Sequence, residues 1–154
     1  MSRRHQIVLS AEEAAAFLAE QRTVTCATLG PRGWPHLMPL WYVLRGGDEL
    51  WAWTYAKSQK TRNLERDPRC TLQVEAGVDY HELRGVMLEC DAPLHRDLGT
   101  VAALGAEIAA RYAGGAVTAE LEAAMRRQAP KRVGLQFVER RRVTWDHGKL
   151  GGTD

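Results

Sequence analysis

Apolar positions along the chain change period several times, and each change marks a predicted element. Ser10 with Glu13 three residues later forms a capping box, and Ala14, Phe17, Leu18 and Gln21 fall on neighbouring turns. A first helix is therefore predicted from Ser10 to about residues 20–22. Six strands follow from short alternating or β-branched runs: residues 23–29, 34–44, 49–55, 70–75, 82–92 and 132–145. The turn signals Gly30-Pro31-Arg32-Gly33 and Gly46-Gly47-Asp48 join the first three strands into a continuous antiparallel meander. Pro35 and Pro39 each remove a ladder donor, which confines the second strand to a sheet edge or a bulge. Trp51, Trp53 and Tyr55 share one face of the third strand and read as core or dimer packing. Leu98, Val101, Leu104, Ile108 and Tyr112 recur at helical spacing within residues 95–112, and a looser helix covers 118–128. No repeat, linker or second core is visible. The pattern predicts a mainly β fold, a small six-stranded antiparallel barrel with peripheral helices.

Composition narrows the partners. A chain of 154 residues suits one domain with a real core, and 45% hydrophobic with 26% charged residues is ordinary for a globular protein. A net charge of +2, with acidic and basic residues interspersed, argues against a nucleic-acid partner, so any anion recognition is local. The three cysteines, Cys26, Cys70 and Cys90, sit in strand-like runs and read as small buried hydrophobes rather than disulfide partners. The N-terminal apolar patch is too short for a signal peptide, and no run is long enough to span a membrane. A soluble, cytoplasmic protein without a membrane partner is expected.

The segment KSQKTRNLERDPR, residues 57–69, carries the most chemistry. It follows the aromatic strand and begins a short helix for which Ser58 is the N-cap, while Asp67-Pro68 is the stop. Free N–H groups at a helix start suit a phosphate, and Lys60 lies in the first turn. Dinucleotide, P-loop, nucleophile-elbow, CxxC and HExxH signatures are missing. His5, His36, His81, His95 and His147 are scattered, with no pair at helical ligand spacing, so no metal centre is expected; His81 and Glu82, adjacent strand positions, point to opposite faces and do not make an acid–base pair. The residues thus offer an anion site beside a sheet and no protein nucleophile.

Two stretches, ATLGPRGWPHLMPLWYVL and LWAWTYAKSQKTRNLERDPRCTLQVE, resemble the pyridoxamine-5′-phosphate-oxidase-like split β-barrel proteins. The terminal RRVTWDHGKLGG, residues 141–152, resembles the tail of the mycobacterial-type branch that uses the deazaflavin coenzyme F420. The most specific patterns are SxKxxNLxxDPR at 58–69 and WDHxKL at 145–150. The resemblance implies a homodimer with two interfacial cofactor sites. Ser58, Lys60 and Asn63 would hold the cofactor phosphate, with Lys57 and Arg62 nearby. Thr54 and the backbone of Met38, Pro39, Leu40 and Trp41 would flank the ring, and the Trp145 region would approach from the partner. Some F420-binding relatives carry an Arg where this chain has Ser58, which leaves its phosphate pocket less charged.

The implied activity is hydride transfer between reduced F420 and an electron-poor small-molecule acceptor. The cofactor carries the chemistry, and the protein supplies orientation and electrostatics. Tyr80 and His36 are candidate proton donors; residues 77–83 and 95–128 are candidate substrate-selecting segments. An FMN-dependent oxidase or reductase on the same barrel, and a non-catalytic F420 carrier, are the alternatives.

Overall fold

Two buried aromatic residues, Tyr42 and Phe137, set the architecture in the computed structural model, which describes residues 2–151. Each interrupts one of the long expected strands and turns the chain from one sheet into another. At Tyr42 the backbone leaves the ladder because side chains satisfy it instead. Its N–H donates to the Tyr112 hydroxyl at 3.1 Å, and its carbonyl accepts from the Arg111 guanidinium at 2.5 Å. At Phe137 the N–H donates to the Leu50 carbonyl at 3.0 Å.

Nine strands replace the six expected among the described residues. They are β1 (Thr23–Leu29), β2 (Pro35–Trp41), β3 (Val43–Arg45), β4 (Glu49–Tyr55), β5 (Arg69–Ala76), β6 (Arg84–Asp91), β7 (Leu94–His95), β8 (Arg132–Gln136) and β9 (Val138–Asp146). One antiparallel sheet has the order β2-β1-β5-β6-β9 and the other β3-β4-β8-β7. The expected meander is thus broken: β2 pairs with β1, whereas β3 pairs with β4 in the second sheet. The prolines fit this arrangement, since β2 is an edge strand. The fold is mainly β, two antiparallel sheets facing one core, with helices at the periphery, as a split barrel requires.

The helices close the barrel in different ways. The capping box of α1 (Ala11–Glu20) forms as expected, with Ser10 N–H to Glu13 Oε2 at 2.7 Å and Glu13 N–H to Ser10 Oγ at 3.1 Å. Its last carbonyls are satisfied from elsewhere in the chain. The Tyr42 hydroxyl donates to the Leu18 carbonyl at 2.5 Å, and Arg111 donates to the carbonyls of Ala19 and Gln21 at 3.0 and 2.7 Å. Arg111 therefore clamps α1 and the Tyr42 corner onto α3 (Leu98–Ala113).

Trp51 and Trp53 face α3, not the barrel interior, and form a second apolar layer with Val43, Leu104 and Ile108. The shared face of Trp51 and Trp53 is the one expected to pack, while Tyr55 at its end is exposed; that α3 covers this face was not visible, because β4 is buried on both faces. Gly105 lets α3 approach: a Cβ there would lie 2.4 Å from the Trp53 ring. α4 (Ala119–Gln128), capped by Thr118, packs outside α3. No helix of the described residues is long and apolar enough to cross a membrane.

Candidate functional site

Because side chains alternate along β4, turning Trp51 and Trp53 towards α3 sends Thr54 to the opposite face, towards the barrel interior. The chain then turns sharply. Ala56 N–H donates to the Lys131 carbonyl at 2.9 Å and Ser58 N–H to the Tyr55 carbonyl at 3.0 Å, which fixes the start of α2 (Gln59–Arg66). Ser58 is the N-cap, accepting from Thr61 N–H at 3.3 Å. The Thr61 hydroxyl donates to the Tyr55 carbonyl at 2.9 Å, so Ser58 is the donor in the 3.0 Å hydroxyl pair between them. A phosphate above the helix could claim that Ser58 proton. Gln59 and Lys60, at the first two helical positions, keep N–H groups that a helix cannot satisfy internally.

Lys60 is the unusual residue. Its side chain does not point into solvent; the residue is only 8% exposed and its Nζ donates to Thr54 Oγ1 at 3.0 Å. Burial lowers the Lys60 pKa, and the neighbouring Cys26 thiol opposes that shift. The Cys26 thiol is itself lowered, first by a hydrogen bond from Cys70 and further by the Lys60 charge. Among the described residues, no carboxylate pairs with Lys60, and the ion pairs involve Arg45, Arg69, Arg84, Arg96, Arg140, Arg141, Arg142 and Lys149; Lys57, Lys60 and Arg62 lie outside them, as do other cations elsewhere on the surface.

The structure brings several sequence-selected residues together and distributes others. Thr54, Ser58 and Lys60 meet at the helix start. Asn63 lies on the inner side of α2, fully buried; its amide donates to Thr28 Oγ1 at 3.0 Å and accepts from Gln59 Nε2 at 2.8 Å. Asn63 ties α2 to β1 and presents no free polar atom outward. On β2, the register places Met38 opposite Cys26 and Leu40 opposite Val24, so both share the face on which Lys60 lies. Pro39 and Trp41 project from the other face, where the Trp41 ring stacks on Tyr112 at 4.2 Å. As an edge strand, β2 leaves backbone groups directed away from β1.

Trp145 packs against its own chain: a Cβ on Gly85 would lie 2.3 Å from its ring. The WDHxKL segment forms a clasp in which His147 N–H donates to the Leu83 carbonyl at 2.9 Å and Lys149 donates to Glu13 Oε2 at 2.5 Å.

Sequence reasoning missed Arg132, which lies opposite Tyr55 on β8 with its guanidinium 3.6 Å from the Tyr55 ring centroid. Only the β4–β8 pairing reveals it. One expectation is corrected outright. Residues 80–82 form a 3₁₀ turn rather than a strand start, so His81 and Glu82 do not alternate between faces. With Asp79 their ligand atoms lie within 4.8 Å of one another, but all three are exposed and Glu82 is engaged in capping the N–H groups of Val78 and Asp79.

One small cavity borders the helix start, and a larger cleft lies away from it. The small cavity, of about 200 Å³, lies between the β1–β2 hairpin, His36 and Gln59. The larger cleft, of about 780 Å³, lies between residues 4–14 and β9. The cations that β9 contributes to it, Arg141 and Arg142, are neutralised by Glu89, Glu139 and Asp48. Arg4 lines the same cleft and lies outside the ion pairs of the described residues, so the feature that sets α2 apart is the burial of Lys60.

This two-sheet barrel has counterparts among known proteins. Residues 10–145 match the family described as pyridoxamine 5'-phosphate oxidase. The chain belongs to that family. A conserved hypothetical protein of Mycobacterium tuberculosis is 41% identical, covering 100% of this chain and 95% of its own, with a TM-score of 0.90. A structure titled F420 reductase is 19% identical, with a TM-score of 0.66 over 86% of this chain and 98% of its own. HutZ, the heme storage protein of Vibrio cholerae, is 15% identical, with a TM-score of 0.68 over 90% of this chain and 97% of its own. These last two share the fold. No protein of curated function matches the sequence.

Proposed function

We propose that this protein is a homodimeric oxidoreductase that holds coenzyme F420 with its phosphate at the start of α2. It passes a hydride between the deazaflavin and an electron-poor small molecule. The observation that carries the reading is Lys60: a buried cation with one hydroxyl partner and no carboxylate among the described residues, in the first turn of a helix whose leading N–H groups have no intrahelical acceptor. Such a charge is costly unless an anion arrives, and a phosphate supplies one through charge-assisted hydrogen bonds. Thr54, Ser58, Lys60 and the unpaired Lys57 and Arg62 fit a phosphate. Asn63 supports the helix from beneath. The choice of F420 over FMN rests on the SxKxxNLxxDPR and WDHxKL resemblance and on a fold shared with a protein titled F420 reductase.

When bound, the cofactor supplies the hydride chemistry. The chain's own residues anchor the phosphate, place the ring against β2 and exclude water from one side of it. The dimer is supported by the outer face of the five-stranded sheet, where Leu37 and Trp41 are 58% and 57% exposed on an edge strand.

Titration of the protein with F420 and with FMN, followed by cofactor absorbance and fluorescence, tests the reading. F420 is expected to bind more tightly. Tight FMN binding without F420 binding would reassign the cofactor, and affinity unchanged in a Lys60→Met variant would remove the site. Reduced F420 oxidised no faster on the protein than in solution, across enones and quinones, would identify a carrier instead.

A further inference from the structure

The backbone groups of the edge strand β2 have a fixed direction. Gly30 N–H donates to the Trp34 carbonyl at 3.0 Å, while Leu29 lies opposite Pro35. That bond makes Leu29 and Pro35 a pair without mutual hydrogen bonds, and the pattern alternates from there. His36, Met38 and Leu40 therefore turn their N–H and C=O groups towards β1. Pro35, Leu37, Pro39 and Trp41 turn theirs away from it, to the open edge of the sheet.

Proline has no N–H, so at Pro35 and Pro39 this edge carries a carbonyl alone. Its donors are the N–H groups of Leu37 and Trp41, which lie about 13 Å apart along an extended strand. Between them the edge offers the carbonyls of Leu37 and Pro39 and no donor. Among the described residues no hydrogen bond reaches either carbonyl.

Flavin and deazaflavin rings present different atoms to such an edge. In the central ring a flavin has a nitrogen, N5, whose lone pair accepts a hydrogen bond. A deazaflavin has a C–H at the same position, which needs no donor and is compatible with a facing carbonyl. A ring nitrogen shielded from water and left without a donor is costly.

We propose that Pro39 is a specificity-determining residue: by leaving β2 without an N–H at this point, it selects a deazaflavin ring over a flavin ring. The inference rests on the proposed placement of the ring against β2 and deepens it. It concerns the ring alone, since the Pro39 side chain lies on the face of the sheet opposite to Lys60.

The test compares FMN with 5-deaza-FMN, which differ only in that ring atom and share the same phosphate, by calorimetric titration, with F420 measured alongside. The unaltered protein is expected to bind 5-deaza-FMN about five- to tenfold more tightly than FMN. Pro39→Ala restores an N–H directed to the open edge, where it disturbs no bond to β1, and is expected to close the gap by strengthening FMN binding. Pro35→Ala adds an N–H outside the stretch between Leu37 and Trp41 and is expected to leave the gap open. FMN bound by the unaltered protein as tightly as 5-deaza-FMN, a gap that persists in Pro39→Ala, or one that closes in Pro35→Ala would each overturn the proposal. A gap without F420 binding would remove the F420 reading and leave this inference standing, whereas binding of none of the three compounds would remove both. The comparison on the unaltered protein decides the matter even if a variant fails to fold.

Discussion

Replacing Lys60 with Met should weaken cofactor affinity while leaving stability at neutral pH nearly unchanged. The substitution keeps the aliphatic stem that lies in the barrel wall and deletes the ammonium group. What is lost is one charge-assisted hydrogen bond to Thr54 at 3.0 Å, a contribution of about 1.5–3 kcal/mol. What is relieved is the cost of a buried, unpaired cation, several kcal/mol after relaxation. The two nearly cancel, so Lys60→Met should fold with stability at pH 7 within about 1 kcal/mol of the parent. Its pH dependence should differ in a defined way. Burial lowers the Lys60 pKa in the folded state, so between that value and the unfolded value of about 10.4 the unfolded chain binds more protons. Parent stability therefore gains with rising pH in that window, and the penalty is fully present below the folded pKa. Lys60→Met lacks this gain, so the difference between the two proteins should shift in favour of the parent as pH approaches about 10. Urea denaturation at several pH values from neutral to alkaline measures it. Phosphate-bearing cofactor should bind Lys60→Met about ten- to a hundredfold more weakly, the equivalent of one charge-assisted hydrogen bond. A loss of more than about 3 kcal/mol of stability at neutral pH, with no change in the pH slope, would refute the view of Lys60 as an uncompensated buried charge.

Three further outcomes follow from the packing. Arg111→Ala removes the donor to the carbonyls of Ala19, Gln21 and Tyr42 and should cost about 2–4 kcal/mol in urea denaturation, with α1 losing amide-exchange protection first. Gly105→Ala places a methyl group 2.4 Å from the Trp53 ring and should cost about 1–3 kcal/mol, with a changed near-ultraviolet dichroism signal from the tryptophans. Ser58→Ala deletes the N-cap of α2 and should lower stability by about 1 kcal/mol while also weakening cofactor binding; intact affinity would show that the hydroxyl serves the helix alone.

Local signals in the sequence were sufficient for local structure. The Ser10–Glu13 box, the Ser58 cap and the Asp67-Pro68 stop define α1 and α2 because each is a contact between residues a few positions apart. The six strand-like runs and the Pro-marked edge strand were likewise legible from period and composition. So was the helix start rich in cations. The strand breaks at Tyr42 and Phe137 were not. They depend on Arg111, Tyr112 and Leu50, which the chain brings there from other parts of the fold. Similarly, the direction of Lys60 and the commitment of Asn63 to Thr28 depend on how α2 sits over β1. Residue types alone mark 57–69 as a cation-rich helix start. Only the fold decides where each of those side chains goes, because a side chain's partners are set by strand order and register, and those pairings join positions too far apart for any local pattern to encode.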